Sequence, residues 1–344
     1  MRVPVSAQAS IVALFIVACG SAPATNPTVA TPTATRTVAS SAATVPAWMI
    51  GLGGRIVFSR EGGDPKASSV YSMAPDGSGL ALVTESPTSV TDVIWGPADR
   101  FLFNSDRSGQ PEVFSMDGRG GEIRPVTTGP DAHAHVALSH DGTTVAYEAW
   151  TDVADLGIHL APVDGSASPT LLTPPADPLV GGDGQPAFSP DGRLVAFQRV
   201  VDHSNEQAVR AALFVIGVDG KGLRQLTPEA MDAGHPRWSP DGRTILFHDN
   251  ADMQGPVAGK SANLWTMAPD GTGLTQLTHE TGGNYAIEGT WSPDGTAIAF
   301  ASWFGADEFT AIRVMHADGT GITPVWTGTF SGGSGNDPEW SASR

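Results

Sequence analysis

Six polar residues occupy one recurring position in this chain: Asp92, His135, Gln185, His235, Glu288 and Asp337. Five of the six can titrate. Imidazoles and carboxylates gathered at one place suit a divalent transition metal, which takes both as ligands. They equally suit a polar or peptide ligand that needs donors and acceptors together. A third duty is structural, because buried polar side chains usually serve the backbone around them. If a metal is held, the expected ligands are His135, Gln185 and His235. His133 and Asp183 lie two residues ahead of two of these positions.

Other chemistry is sparse. There is no Gly-x-Ser-x-Gly elbow, His-Glu-x-x-His helix, phosphate-binding loop or dinucleotide glycine fingerprint. The many Asp-Gly pairs lack the carboxylate spacing of a calcium loop. No catalytic residue is therefore expected, and no cofactor other than a divalent cation at the His/Gln set.

One further residue has a chemical role by position. Cys19 is the chain's single cysteine, so no intrachain disulfide forms. It follows a basic start at Arg2 and an apolar run from Ile11 to Ala18 that is short for a membrane span. Ile16-Val17-Ala18-Cys19-Gly20 resembles the bacterial lipobox, in which the thiol is acylated and the chain is cut just before it. Residues 1–18 are thus expected to be a lipoprotein signal peptide. The following segment, 19–48, is mainly Ala, Thr, Pro, Val and Ser. It has little to bury and reads as a disordered stalk.

The six polar positions are set by a repeat of roughly fifty residues. Its clearest copies contain Ser189-Pro190-Asp191-Gly192, Ser239-Pro240-Asp241-Gly242 and Ser292-Pro293-Asp294-Gly295. In each, Pro presets φ, Asp hydrogen-bonds its own backbone and Gly takes the left-handed position, which makes a tight hairpin. A second hairpin is marked by Asp76-Gly77, Asp117-Gly118, Asp164-Gly165, Asp219-Gly220, Asp270-Gly271 and Asp318-Gly319. Each copy ends near a Thr: Thr84, Thr127, Thr173, Thr227, Thr278 and Thr327. Two hairpins give four antiparallel strands, the content of a propeller blade. The expected fold is all-β, a six-bladed β-propeller over residues 49–344. The first repeat lacks its first strand, and Asp337-Pro338-Glu339-Trp340-Ser341 supplies one at the other end. The C-terminal strand should therefore join the N-terminal blade and close the ring. The Trp or Phe ending each first strand is the expected wedge between blades.

This pattern, Pro-x-Trp-Ser-Pro-Asp-Gly followed by Met-x-x-Asp-Gly-x-Gly and Leu-Thr, resembles the repeat of the TolB-type six-bladed propellers. The resemblance covers about residues 50–344 and implies a protein- or peptide-binding module of the cell envelope. The α/β domain that the resemblance would place ahead of the propeller is replaced here by the signal and stalk. A related kind of propeller, the oligogalacturonate lyases, implies an alternative: a metal-dependent lyase acting through a His/Gln set near the channel.

Strand order puts the uniform Ser-Pro-Asp-Gly and Asp-Gly hairpins on one face. The connections between blades lie on the other, where longer insertions fall at 198–212, 248–263 and 302–311. Function usually sits on variable loops over a rigid scaffold, so the six polar residues are expected to ring the channel mouth on that face. Trp150, Tyr285, Trp303, Phe304 and Phe309 are expected beside them. The net charge of −17 disfavours nucleic acid, anionic lipid surfaces and polyanionic sugars. The resulting expectation is a monomeric, extracytoplasmic lipoprotein of the periplasm or cell surface. It would be anchored to a membrane through Cys19 and bind an envelope protein or peptide without catalysis.

Overall fold

The computed structural model describes residues 45–61, 67–96, 99–129, 131–149, 157–173, 182–202, 210–249, 260–304, 309–329 and 337–341. The expected signal, Cys19 and most of the stalk lie outside them. Among the described residues, no helix is long and apolar enough to cross a membrane.

Six four-stranded antiparallel sheets form the ring. Their first strands run Glu339–Ser341, Thr91–Trp95, His133–Leu138, Asp183–Phe188, Gly234–Trp238 and Asn284–Trp291, for blades one to six. First strands of neighbouring blades touch one another and so line the axis. The second strands run Arg55–Glu61, Arg100–Ser105, Thr144–Ala149, Leu194–Asp202, Ile245–His248 and Ala297–Phe304. Blade one is split as the sequence implies: Arg55, Ile56 and Val57 pair antiparallel with Ser341, Trp340 and Glu339. Closure of this kind removes the open edge that would otherwise invite pairing with another chain.

Local chemistry explains the strand ends. In the turn at Ser189, the serine hydroxyl donates to Asp191 Oδ1 at 2.6 Å, which also accepts the Arg193 N–H at 3.1 Å. Gly192 sits at φ 69°, where a side chain would be strained. The turns at Ser139, Ser239 and Ser292 repeat these bonds. The recurring threonines have a shared duty. Thr127, Thr173, Thr227 and Thr278 each accept a third-strand N–H at 2.9 Å, from Val113, Ile158, Leu213 and Leu264. Each bond satisfies a buried donor where the short fourth strand ends.

The core is six apolar clusters, one in each seam between adjacent blades. Strand alternation supplies them: Ile56 faces the seam with blade six, while Val57 faces the seam with blade two. The expected tryptophan wedges stand in these seams. Trp238 Nε1 donates to the Ala187 carbonyl of the preceding blade at 3.2 Å, and Trp291 Nε1 does the same to Arg237. Trp340 donates to the Gly53 carbonyl at 2.9 Å, pinning the closing strand to the start of the propeller.

Candidate functional site at the channel mouth

Five of the six first strands carry a register shift at the ring residue. The breaks fall between Thr91 and Ile94, Ala134 and Ala137, Gly184 and Ala187, Gly234 and Arg237, and Ile287 and Thr290. The residue inside each bulge has a positive φ: 48° at Asp92, 48° at His135, 55° at Gln185, 50° at His235 and 56° at Glu288. No glycine supplies this conformation, which L-residues seldom adopt. A bulge re-aims a side chain that the strand would otherwise alternate away, and here it turns five side chains toward the axis. Asp337 completes the circle just ahead of the first strand of blade one.

Bulging also removes the ring residue's N–H from the strand ladder, so it needs another acceptor. The preceding blade supplies one. Glu148 Oε2 accepts the Gln185 N–H at 3.2 Å, Gln185 Oε1 accepts the His235 N–H at 2.8 Å, and His248 Nδ1 accepts the Glu288 N–H at 3.2 Å. Three different side chains thus perform one task in three successive seams.

The imidazole half of the ring is tightly interlinked. His135 Nδ1 meets Glu148 Oε1 at 2.7 Å. The rings of His135 and His235 stand edge to face at 5.7 Å across blade four, and His235 stacks on His248 at 5.0 Å. Burial pulls the His135 imidazole down, but Glu148 and Asp92 together outweigh it and push it up to about 9. His135 is therefore cationic at neutral pH. Burial, with the Arg237 charge, pulls His248 down to about 3. A neutral ring is also what its accepted hydrogen bond requires, which leaves the proton on Nε2. Burial and its cationic neighbours hold His235 well below the ordinary histidine value.

Opposite lies an acidic half. Asp337 stands close enough to Glu288 and Asp92 for each carboxyl to bear on its charge. Burial first, then the two neighbouring carboxylates, pushes Asp337 well up, and burial also raises Glu288. Like charges this close disfavour one another's ionisation, which adds to burial at Asp337. One layer deeper, Arg237 Nε lies 4.0 Å from Glu339, and burial again raises that carboxyl.

The residues singled out in the sequence separate into distinct settings. His133 and Asp183 belong to other contacts: His133 bonds Glu112 at 2.6 Å, and Asp183 forms a buried bidentate pair with Arg199 at 2.6 and 2.7 Å. A cleft of about 570 Å3 opens beside blade two, but its buried acid, Glu112, already accepts from Thr127 and meets His133. Tyr285 packs on Trp303 at 5.4 Å, and Phe304 lies under the Arg313 guanidinium at 4.4 Å. These aromatics cover strands rather than the axis. Trp150 and the Phe309 side chain are outside the described residues, as are large parts of the three insertions. Sequence reasoning missed Asn104, Glu148 and His248. Each follows the Phe or Tyr of a second strand, a position that is polar in five of the six copies (Ser59, Asn104, Glu148, Gln198 and His248), and that recurrence was the available signal.

Among the described residues, no group of three or more His, Cys, Asp and Glu could hold a metal ion. The imidazoles, Gln185 and Glu148 are instead engaged with each other and with neighbouring backbone.

TolB from Acinetobacter baumannii superposes with a TM-score of 0.64 at 16% identity, covering 83% of this chain and 66% of that one. The chain has the TolB-type propeller fold. A putative TolB from Agrobacterium tumefaciens gives 0.61 at 18% identity, covering 83% and 91% of the two chains. An oligogalacturonate lyase in complex with manganese gives 0.51 at 15% identity, covering 80% and 74%. No protein-family model and no curated protein matches the sequence.

Proposed function

We propose that the channel mouth of this TolB-like propeller binds an envelope protein or peptide without catalysis, on a chain anchored outside the cytoplasm by lipid on Cys19. In this reading residues 1–18 are removed, 19–48 form the tether and 49–344 are the binding module. The observation that carries it is the engagement of the His/Gln half. Glu148, Gln185 and His248 each accept a neighbouring blade's N–H, which leaves the ring a convergent polar surface rather than a free acid–base pair. Such a surface, rigidly held, suits recognition.

A photo-crosslinking residue placed at Asp92 or Glu288 in the native envelope should capture a defined partner. The same residue at Lys221, on the hairpin face, should not. Equal capture from both faces would overturn the reading. The lyase alternative keeps its own test: stoichiometric metal in the purified mature chain, lost in the His135→Ala/His235→Ala double variant, would replace simple binding with metal chemistry.

A further inference from the structure

The ring divides unevenly in how well its polar atoms are satisfied. In the imidazole half Glu148 and His248 each have a partner. In the acidic half three buried atoms have none: Ser59 Oγ, Asn104 Oδ1 and Asp337 Oδ1. Ser59 is 1% exposed and Asn104 3%. Ser59 and Asn104 occupy, in blades one and two, the position that Glu148 and His248 occupy in blades three and five. Asn104 is tied to the acidic group directly, since its Nδ2 donates to Asp92 Oδ2 at 2.5 Å. That bond fixes the carboxamide and leaves its oxygen bare.

We propose that Asp92, Glu288 and Asp337, with Asn104 and Ser59 behind them, form a subsite for a primary ammonium group of the bound peptide. This deepens the binding function proposed above and rests on it for its biological setting, though not for its test. Asn104 Oδ1 can only accept, and Ser59 Oγ and Asp337 Oδ1 can both accept. An ammonium carries three donors and no acceptor, so it complements the set. Among the described residues, no Lys, Arg or His forms an ion pair with any of the three acids. Arg237, the nearest strong cation, lies toward Glu339 and only tempers Glu288 at a distance. A bare metal ion fits less well, because these acids do not form a group that could hold one.

The charge balance follows. Unliganded, burial and the neighbouring acids favour a proton on Asp337, which faces Glu288 and Asp92, while Glu288 also faces Arg237 and His135. An incoming R–NH3+ takes over the neutralising role. Any proton held on Asp337 leaves to solvent, and no covalent bond changes in the ligand.

The probe is n-butylammonium chloride, titrated calorimetrically into the full chain at pH 7 in phosphate and in MOPS. Binding should be in the millimolar range, with a buffer-dependent heat reporting net proton release on amine binding. Asp337→Asn and, separately, Asp92→Asn should each weaken it at least tenfold. Asp76→Asn, on the hairpin face, should leave it unchanged. Alanine amide and Nα-acetyl-lysine amide then separate an α-amine from a lysine side chain, and the tighter of the two names the source. Three results would overturn the subsite: no butylammonium binding at tens of millimolar, equal binding to wild type and both ring variants, or binding of calcium in place of the amine. Partner capture from Asp92 that persists after any of these would leave the broader function standing, so the two failures are distinguishable.

Discussion

Replacing Glu148 with Gln should uncouple the stability of this propeller from alkaline pH. Glu148 Oε1 lies 2.7 Å from His135 Nδ1, and the histidine side chain is 24% exposed. The rise of His135 from 6.5 to about 9 corresponds to at most about 3 kcal/mol at 1.36 kcal/mol per unit. A group whose pKa is raised on folding stabilises fully below its unfolded value and loses that contribution as pH climbs through its folded value. The wild type should therefore lose about 2–3 kcal/mol between pH 6.5 and 9.5 from this group alone. In Glu148→Gln only the weaker pull of Asp92 opposes burial, so His135 titrates near or below 6.5 and most of that loss disappears. The amide oxygen can still accept the Gln185 N–H, which keeps the seam intact. Urea denaturation at the two pH values measures the stability difference, and the His135 Cε1 proton resonance measures the titration directly. The reasoning fails if wild-type His135 titrates near 6.5. It also fails if the gap between wild type and variant is the same at both pH values.

Three other outcomes are expected. Thr227→Val should leave the Leu213 N–H without its 2.9 Å acceptor and cost about 1–3 kcal/mol in urea denaturation. Trp340→Ala, at a site 4% exposed that closes the ring, should cost about 3–5 kcal/mol. That variant should also show larger species in size-exclusion chromatography as the second strand of blade one loses its cover. Arg199→Met should strand the buried Asp183 carboxylate and cost about 3–5 kcal/mol, with Asp183→Asn added to it recovering part of the loss; thermal denaturation of the pair reads this.

The blade count and the closure were legible because they rest on local chemistry. Ser-Pro-Asp-Gly specifies its hairpin within four residues, and a missing first strand at one end was answered by Glu339–Ser341 at the other. The wedge role of Trp238, Trp291 and Trp340 followed from position alone. The bulges were not legible. Nothing in Asp92, His135, Gln185, His235 or Glu288 announces a positive φ, because the surrounding seam imposes it rather than the residue's own preference. Their convergence could be inferred from the repeat. That Gln185 would cap the His235 N–H, and that Glu148 and His248 would cap others, depended on partners in another blade, thirty-seven to fifty positions away. The division into acidic and imidazole halves was present in the order of the six letters, once the list is read as a circle.

Glu148, Gln185 and His248 perform the same task with an anion, a neutral amide and a neutral imidazole. The seam asks only for a lone pair at one point in space, so it is indifferent to formal charge. The fold therefore constrains the lining of its channel far less than the side chains' burial suggests. A repeat protein built this way can redraw the electrical character of its mouth one blade at a time, exchanging acceptors for one another while the seams stay closed. The same scaffold could present a cationic, neutral or anionic opening to different guests, with the recognition chemistry written in residues that also hold the ring together.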